Sequence, residues 1–244
     1  MADVVTVAWK EMKEMLALGG NLKGGRVGII LMIAVFGVFL PLQHGAAWVS
    51  SPVTMIYWAW VPLMLVTGFI ADSFAGERER HTLETLLASR LPDRAILLGK
   101  VAAAVGYGWV YMLVMFLSGL ITVNLAFRTG GLLLYPWLFM AAALGGGLLT
   151  AGLAASAGVL VSLRASTVRQ AAQTLSIGIM LLIFVPAFGL PALPKAWRVS
   201  LLARAATFSV HQWVALAASI LFLADAVMLA AAMARFRRAR LILD

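Results

Sequence analysis

The charged side chains of this sequence are few, and their densest cluster is one short segment between two long apolar runs. The segment reads Glu77-Arg78-Glu79-Arg80-His81-Thr82-Leu83-Glu84-Thr85-Leu86-Leu87. Leu83, Leu86 and Leu87 share one helical face. Glu79 and Glu84 lie off that face. The pattern predicts a short helix parallel to the membrane that can receive a push from a soluble partner. A solvated loop that merely connects two spans is the alternative interpretation.

Motifs for catalysis and metal binding are absent from the sequence. Neither H-E-x-x-H nor G-x-S-x-G occurs, there is no cysteine, and His44 and His211 are isolated from each other. Gly99-Lys100 continues into Val101 without the glycine-rich loop of a phosphate-binding Walker A motif. We therefore expect no catalytic residue, cofactor or metal here, and any ATP chemistry must come from another polypeptide.

Asp225 is an acid deep inside the last apolar run of the chain. Ionisable residues inside a membrane are costly to bury and suggest a function by default. Asp225 is therefore an intramembrane polar candidate, and an ion- or proton-coupled secondary transporter that uses it is one hypothesis. The other interpretation is a buried polar residue that hydrogen-bonds to a neighbouring helix, with a Ser or Thr as the partner.

The composition identifies an integral membrane protein. Of the 244 residues, 63% are hydrophobic and only 12% are charged, and the mean hydropathy is +0.97. A soluble domain usually carries about 25% charged residues, whereas a helix needs roughly 20 apolar residues to cross a bilayer. The net charge of +9 lies between the apolar runs, so it indicates topology rather than nucleic-acid binding.

Hydropathy predicts an all-α, polytopic fold in one transmembrane domain over residues 1–244. The six predicted spans are about Val27–Leu42, Val53–Ala71, Val101–Phe127, Pro136–Leu163, Ala171–Leu190 and Trp213–Ala234. Residues 73–100 connect spans two and three. Residues 191–212 are too long for a tight turn, and they predict either short helices that dip into the outer leaflet or an interfacial external loop. Small residues predict close helix packing along the fourth span: Gly145-Gly146-Gly147, then Ala151, Gly152, Ala154, Ala155, Ala157 and Gly158.

Residues 2–19 predict an amphipathic helix that lies in the membrane interface. Val5, Trp9 and Met12 recur at helical spacing. The charged residues Lys10, Glu11, Lys13 and Glu14 take the other face. Lys10 and Glu14 are four residues apart and can form a weak ion pair.

The distribution of basic residues predicts the orientation of the chain. If both termini are cytoplasmic, fifteen of the 19 Lys and Arg residues fall on the inside and four on the outside. Cytoplasmic loops of membrane proteins carry such an excess of positive charge. The basic residues after the last span also favour contact with anionic lipid.

The charged segment resembles the coupling loop of ABC-2 type permeases, the membrane subunits of one class of ATP-binding-cassette exporters. The family pattern reads roughly E-x-E-x-G-T-L-E-x-L-L-x-S-P, followed by a spacer and G-K. The similarity runs from Glu77 to Ser89 and resumes at Arg94, Ile96 and Leu97-Leu98-Gly99-Lys100. His81 stands where the family usually has glycine, and Arg90-Leu91-Pro92 delays the proline. The amphipathic N-terminal helix and the six spans follow the same layout.

The resemblance implies an all-helical permease in the cell membrane that is not itself an enzyme. Two permeases, identical or different, would pair side by side, and each would dock a cytoplasmic ATPase that binds ATP and Mg²⁺ and powers export. The implied ATPase-coupling residues are Glu77, Glu79, Thr82, Leu83 and Glu84 in the segment, with Lys10 and Glu11 in the N-terminal helix.

Overall fold

The computed structural model describes residues 2–21, 23–82, 88, 90–128 and 130–236, without the side chains of residues 15–26 and 183. Helices make up nearly all of this part of the chain, and it contains no strand. The helices are α1 Ala2–Asn21, α2 Lys23–Ala34, α3 Leu40–His44, α4 Ala47–Ser50, α5 Val53–Glu79, α6 Asp93–Phe127, α7 Trp137–Ser162, α8 Val168–Ala192, α9 Lys195–Ala206 and α10 Val210–Arg235. A π-helical segment, Val35–Phe39, joins α2 to α3.

Six helical stretches of the described chain are long and apolar enough to cross a membrane, which confirms the predicted fold class. They are Val27–His44, Val53–Glu79, Asp93–Phe127, Trp137–Ser162, Val168–Ala192 and Val210–Arg235. All six overlap the spans predicted from hydropathy. The match is close because a helix must satisfy its own backbone in lipid, so apolar length alone specifies where a span lies.

The connection between the second and third spans is shorter than the predicted 73–100. Helix α5 continues past the predicted end at Ala71 to Glu79, and α6 begins at Asp93. Pro92 has an extended backbone and immediately precedes α6. Since proline disfavours helix in the residue before it, the start of α6 is sharply defined. The predicted short helix over 83–87 lies outside the described residues.

The core of the bundle is the packing of α5 against α6 and α7. Val66, Ile70 and Phe74 of α5 are fully buried. Gly158 of α7 directly faces Ile70, and a Cβ at Gly158 would overlap the Ile70 side chain. Small residues on α7 therefore let two helices approach closely, as the sequence predicted for the fourth span.

Helices α8, α9 and α10 are largely exposed on the isolated chain. No residue of α9 is buried, and α9 lies within the segment 191–212 for which short helices were one prediction. Helix α10 begins with a capping box, in which Ser209 Oγ accepts from Gln212 N–H and Gln212 Oε1 accepts from Ser209 N–H. The outward faces of α8 and α10 are apolar.

Helix α1 packs against α6 with a face that differs from the predicted apolar face. Val7 and Glu11 are buried, whereas Val5 and Trp9 are exposed. Val7 fits against Gly99, where a Cβ would meet the Val7 side chain at 2.6 Å. The predicted pair of Lys10 and Glu14 is present at 3.4 Å, although both side chains are exposed and such a pair adds little stability.

We expect Gly158→Ala to destabilise the protein, because the new methyl group would collide with Ile70 and force α5 and α7 apart. Overpacking of this kind costs about 1–3 kcal/mol, measurable as a lower unfolding temperature in detergent. Gly146→Ala is the matched control, since nothing lies within 4 Å of a Cβ built there. Equal losses in the two variants would contradict close α5–α7 packing at Gly158.

Candidate functional site

A buried lysine lies at the end of the bundle where α1, α5 and α6 meet. Lys100 of α6 is 2% exposed. Its Nζ donates to Glu11 Oε1 at 2.9 Å, to Glu77 Oε1 at 2.9 Å and to the Ser73 carbonyl at 3.2 Å. An ammonium group has three N–H donors, so these partners saturate it. We call Lys100, Glu11, Glu77 and Ser73 the Lys100 junction.

The Lys100 junction joins three helices that are distant in the sequence. Glu11 comes from α1, while Ser73 and Glu77 come from adjacent turns of α5. Gly99 brings α1 near, because it accommodates Val7, and Glu11 follows Val7 by one helical turn on the same face. The Phe74 ring lies 5.4 Å from Lys100 Nζ and adds a cation–π contact. Packing of Val7 against Gly99 and ion pairing at Lys100 therefore both hold α1 against α6.

The Lys100 junction carries more negative than positive charge. Two carboxylates, Glu11 and Glu77, share one ammonium group. Glu77 Oε2 and Ser73 Oγ are also buried, and neither has a hydrogen-bond partner among the described residues. A cavity of about 60 Å³ adjoins the junction and reaches Asp72 and Arg80. The size and polarity of this cavity suit water, which commonly satisfies buried polar groups.

The two residues after Glu77 bind the turn between α7 and α8. Arg78 donates to the carbonyls of Leu163 at 3.0 Å and Ala165 at 2.7 Å, so it satisfies acceptors at the end of α7. Glu79 Oε1 accepts from the Val168 N–H at 3.1 Å. A carboxylate is favourable at that position because the first turn of α8 presents unpaired N–H groups and the positive end of its dipole.

Ser162 of α7 inserts its hydroxyl group into the end of α5. Its Oγ accepts from the N–H groups of Phe74 at 3.2 Å and Ala75 at 2.9 Å. The same hydroxyl donates to the Ala71 carbonyl at 3.1 Å. The last turns of α5 are thereby bound to α7 by hydrogen bonds from the Ser162 side chain to the α5 main chain, as well as by side-chain packing.

His81 begins the connection with a backbone that favours glycine. Its φ is 55°, a positive value for a non-glycine residue, and this is the position where the family pattern has glycine. Next to it, Thr82 Oγ1 donates to the Glu77 carbonyl at 3.3 Å. Arg80 pairs with Asp72 at 3.2 Å across an exposed surface. These contacts end α5 and turn the chain at His81 and Thr82.

The structure brings some of the predicted coupling residues together and separates others. Glu11 and Glu77 meet at Lys100, although both were expected at a surface that faces an ATPase. Glu79 binds the start of α8, and Lys10 stays exposed beside Glu14. Leu83 and Glu84 lie outside the described residues.

Sequence reasoning missed the central role of Lys100, and it also missed Ser162 as a partner of α5. One signal was available: Lys100 is a charge at the head of an apolar span, beside the glycine of the G-K pair. A lysine that enters a span needs an anionic partner. Neither Glu11 nor Glu77 could be singled out as that partner by spacing, since they lie 89 and 23 residues away.

Asp225 lies in α10 against Gly152 of α7, where a Cβ would stand 2.8 Å from Asp225 Oδ2. Its Oδ1 is buried and has no hydrogen-bond partner in the described part of the chain. The Ser or Thr partner expected for it is therefore not found there. No cluster of acids and histidines that could hold a metal occurs among these residues either. Coupling to ions or protons through Asp225 is not favoured.

A family model matches residues 60–207, which is more than half of the chain, and its description is ABC-2 family transporter protein. The chain belongs to the ABC-2 transporter family. The matched region contains most of α5 and all of α6, α7, α8 and α9, and thus Glu77, Lys100 and the contacts of Arg78 and Glu79. No curated protein matches the chain with significant similarity.

As an ABC-2 permease, the protein is a multi-pass transport subunit of the membrane and not itself a catalyst. The match ends upstream of Val210, so it excludes α10 and Asp225. It begins after α1, so Glu11 of the Lys100 junction also lies outside it. The interaction between α1 and α6 is therefore a structural observation of this permease rather than part of the family match.

We expect Lys100→Met to destabilise the permease strongly, because Glu11 and Glu77 would remain buried without a cation. Removing one partner of a buried ion pair costs about 3–5 kcal/mol, which a thermal unfolding curve in detergent can detect. The triple variant Lys100→Met/Glu11→Gln/Glu77→Gln should recover much of this loss. The control is Lys10→Met, whose exposed pair with Glu14 is worth at most about 1 kcal/mol. Similar losses for the two single variants would refute the Lys100 junction.

We expect His81→Gly to stabilise the permease by about 1 kcal/mol, since glycine adopts a positive φ without strain. His81→Ala is the control, because alanine keeps the Cβ atom that makes this backbone unfavourable. Both variants are compared with the parent protein by thermal unfolding in the same detergent. A gain for alanine as large as that for glycine would show that loss of the imidazole, rather than relief of the backbone, is responsible.

Proposed function

We propose that this permease is the membrane half of an ATP-binding-cassette exporter in the cell membrane. A separate cytoplasmic ATPase binds ATP and Mg²⁺, and its movements are transmitted to the spans through α1 and the connection between α5 and α6. The observation that carries this proposal is the Lys100 junction, in which Glu11 of α1 and Glu77 at the end of α5 bind the same lysine of α6. A displacement of α1 or of the connection therefore moves α5 and α6 together.

The contacts of the α5 end support transmission to further spans. Glu77 is bound to α6, Arg78 to the end of α7, and Glu79 to the start of α8. Consecutive residues thus reach three different helices, so displacement of this end moves several spans at once. In this proposal Glu77, Glu79 and Glu11 position the docking surface, and Thr82, Leu83, Glu84 and Lys10 contribute to the contact itself.

The proposed orientation has both termini in the cytoplasm. An even number of spans puts the two ends of the chain on one side, and the basic residues are concentrated on that side. Pairing with a second permease, identical or different, completes the proposal. The exposed apolar faces of α8 and α10 are available for that pairing or for lipid.

Co-purification tests the partner. We expect the permease to co-purify with its cytoplasmic ATP-binding-cassette ATPase when the two are co-expressed. Leu83→Asp should abolish the complex by placing a charge at an apolar contact, and Glu84→Arg by reversing the charge at that position. Lys195→Glu changes a charge in α9, at the opposite end of the bundle, and should leave the complex intact. Absence of binding by the unaltered permease would overturn the proposal.

The transmission step has a separate test. The triple variant Lys100→Met/Glu11→Gln/Glu77→Gln retains the surface of the connection but lacks the ion pairs that fix it to α1 and α6. We expect it to bind the ATPase while losing most of the permease-dependent change in the rate of ATP hydrolysis. If the triple variant forms a stable complex and changes the hydrolysis rate as much as the parent permease does, the Lys100 junction serves stability alone.

A further inference from the structure

A second polar feature lies at the same end of the bundle, between α7, α8 and α10. It is a cleft of about 380 Å³ whose lining includes Leu160, Val161, Arg164, Gln170, Ala231 and Arg235. A volume of this size is typical of sites for small ligands. The walls are mainly apolar, and the two charged residues of the lining are both arginines.

The positive charge of the cleft is not neutralised within the described part of the chain. Arg164 and Arg235 form no ion pair with any acidic side chain there. Gln170 adds donor capacity, because its Oε1 accepts from Ser166 N–H and Ser166 Oγ, which leaves the amide NH₂ group to donate. Two guanidinium groups and an amide are a donor set that suits an anion with several oxygens.

Both arginines stand on backbone that other contacts hold in place. Arg164 lies between Leu163 and Ala165, whose carbonyls accept from Arg78. Arg235 precedes Phe236, which is buried and packs against Phe74 at 5.2 Å between ring centroids. The positions of the two arginines on the backbone are thus fixed by the core, while their exposed side chains can adjust to a ligand.

The location of the cleft indicates the kind of anion. Arg164 follows the end of α7, Gln170 lies in the first turn of α8, and Arg235 ends α10. These helix ends coincide with the ends of three spans, where lipid headgroups lie, and basic pockets between spans at this depth favour anionic headgroups. Leu160, Val161 and Ala231 give the adjoining wall an apolar surface that suits glycerol and acyl carbons.

We propose that this cleft binds the phosphate group of an anionic membrane lipid. Arg164 and Arg235 hold the phosphate oxygens, the Gln170 amide donates a further hydrogen bond, and the apolar wall receives the first carbons of the chains. The same turn carries the carbonyls that bind Arg78, so bound lipid stabilises the attachment of the α5 end to α7. A free phosphate compound shares the headgroup chemistry but lacks the apolar part.

The test measures lipid binding to the full-length purified permease in detergent, by native mass spectrometry and by thermal shift. The probes are phosphatidylglycerol, phosphatidylcholine, glycerol phosphate and inorganic phosphate. We expect phosphatidylglycerol to bind and raise the unfolding temperature, with little effect of the other three. Loss of both arginines should weaken phosphatidylglycerol binding by about tenfold or more, since each charge-assisted hydrogen bond contributes on that scale.

The cleft variant Arg164→Gln/Arg235→Gln is compared with Arg169→Gln/Arg198→Gln, which removes the same charge from exposed positions outside the cleft. Equal weakening in both would overturn the proposal, because it would show attraction by net charge alone. Binding of glycerol phosphate or inorganic phosphate as strong as that of phosphatidylglycerol would likewise overturn it in favour of a soluble phosphate ligand.

If loss of the arginines impairs folding, a variant that fills the cleft and keeps both arginines still tests where the lipid binds. Ala231→Trp fills the cleft from α10 and retains both guanidinium groups. We expect Ala231→Trp to reduce the number of tightly bound phosphatidylglycerol molecules, whereas Arg169→Gln/Arg198→Gln should bind as many as the parent permease. Full binding to the filled cleft would place the lipid elsewhere and refute the assignment.

Discussion

An ammonium group that leaves water must be met by anions, and this requirement organises the end of the bundle around Lys100. The two carboxylates that meet it arrive from different parts of the chain, so the lysine specifies where α1 lies against α6 and how α5 ends. An apolar residue at position 100 would pack equally well in one helix pair, but it would not select Glu11 or Glu77 as neighbours. The charge therefore contributes specificity of assembly more than net stability.

The end of α5 shows how one helix terminus can bind most of a bundle. The Ser162 hydroxyl of α7 hydrogen-bonds to the main chain of α5, Arg78 satisfies carbonyls that the end of α7 leaves open, and Glu79 satisfies an N–H group at the start of α8. The contacts of Arg78 and Glu79 replace water that the helix termini would use in solution. The first residues of this charged motif, Glu77, Arg78 and Glu79, are thus bound to other helices of the same chain, even though the pattern suggests an outward-facing surface.

The spans and the family were readable from the sequence because both are encoded locally. Apolar length marks a span, and the order of residues from Glu77 to Lys100 marks the motif. The partners within the site were not readable, because Glu11 sits among Lys10, Lys13 and Glu14 and looks like part of a solvated face. Its burial depends on the fit of Val7 against Gly99, a tertiary contact with no local signature. The extension of α5 to Glu79 was missed for a different reason. Charged residues end an apolar run, but they do not end the helix.

The contacts of the α5 end also impose an order on biogenesis. Leu163 and Val168, which bind Arg78 and Glu79, follow those residues by 85 and 89 positions. At a synthesis rate of roughly 5–20 residues per second, the interval is on the order of ten seconds. During that time the first three spans can insert, yet the charged terminus of α5 has no fourth span to hold it. The end of α5 acquires these partners only after synthesis has passed Val168, the first residue of α8.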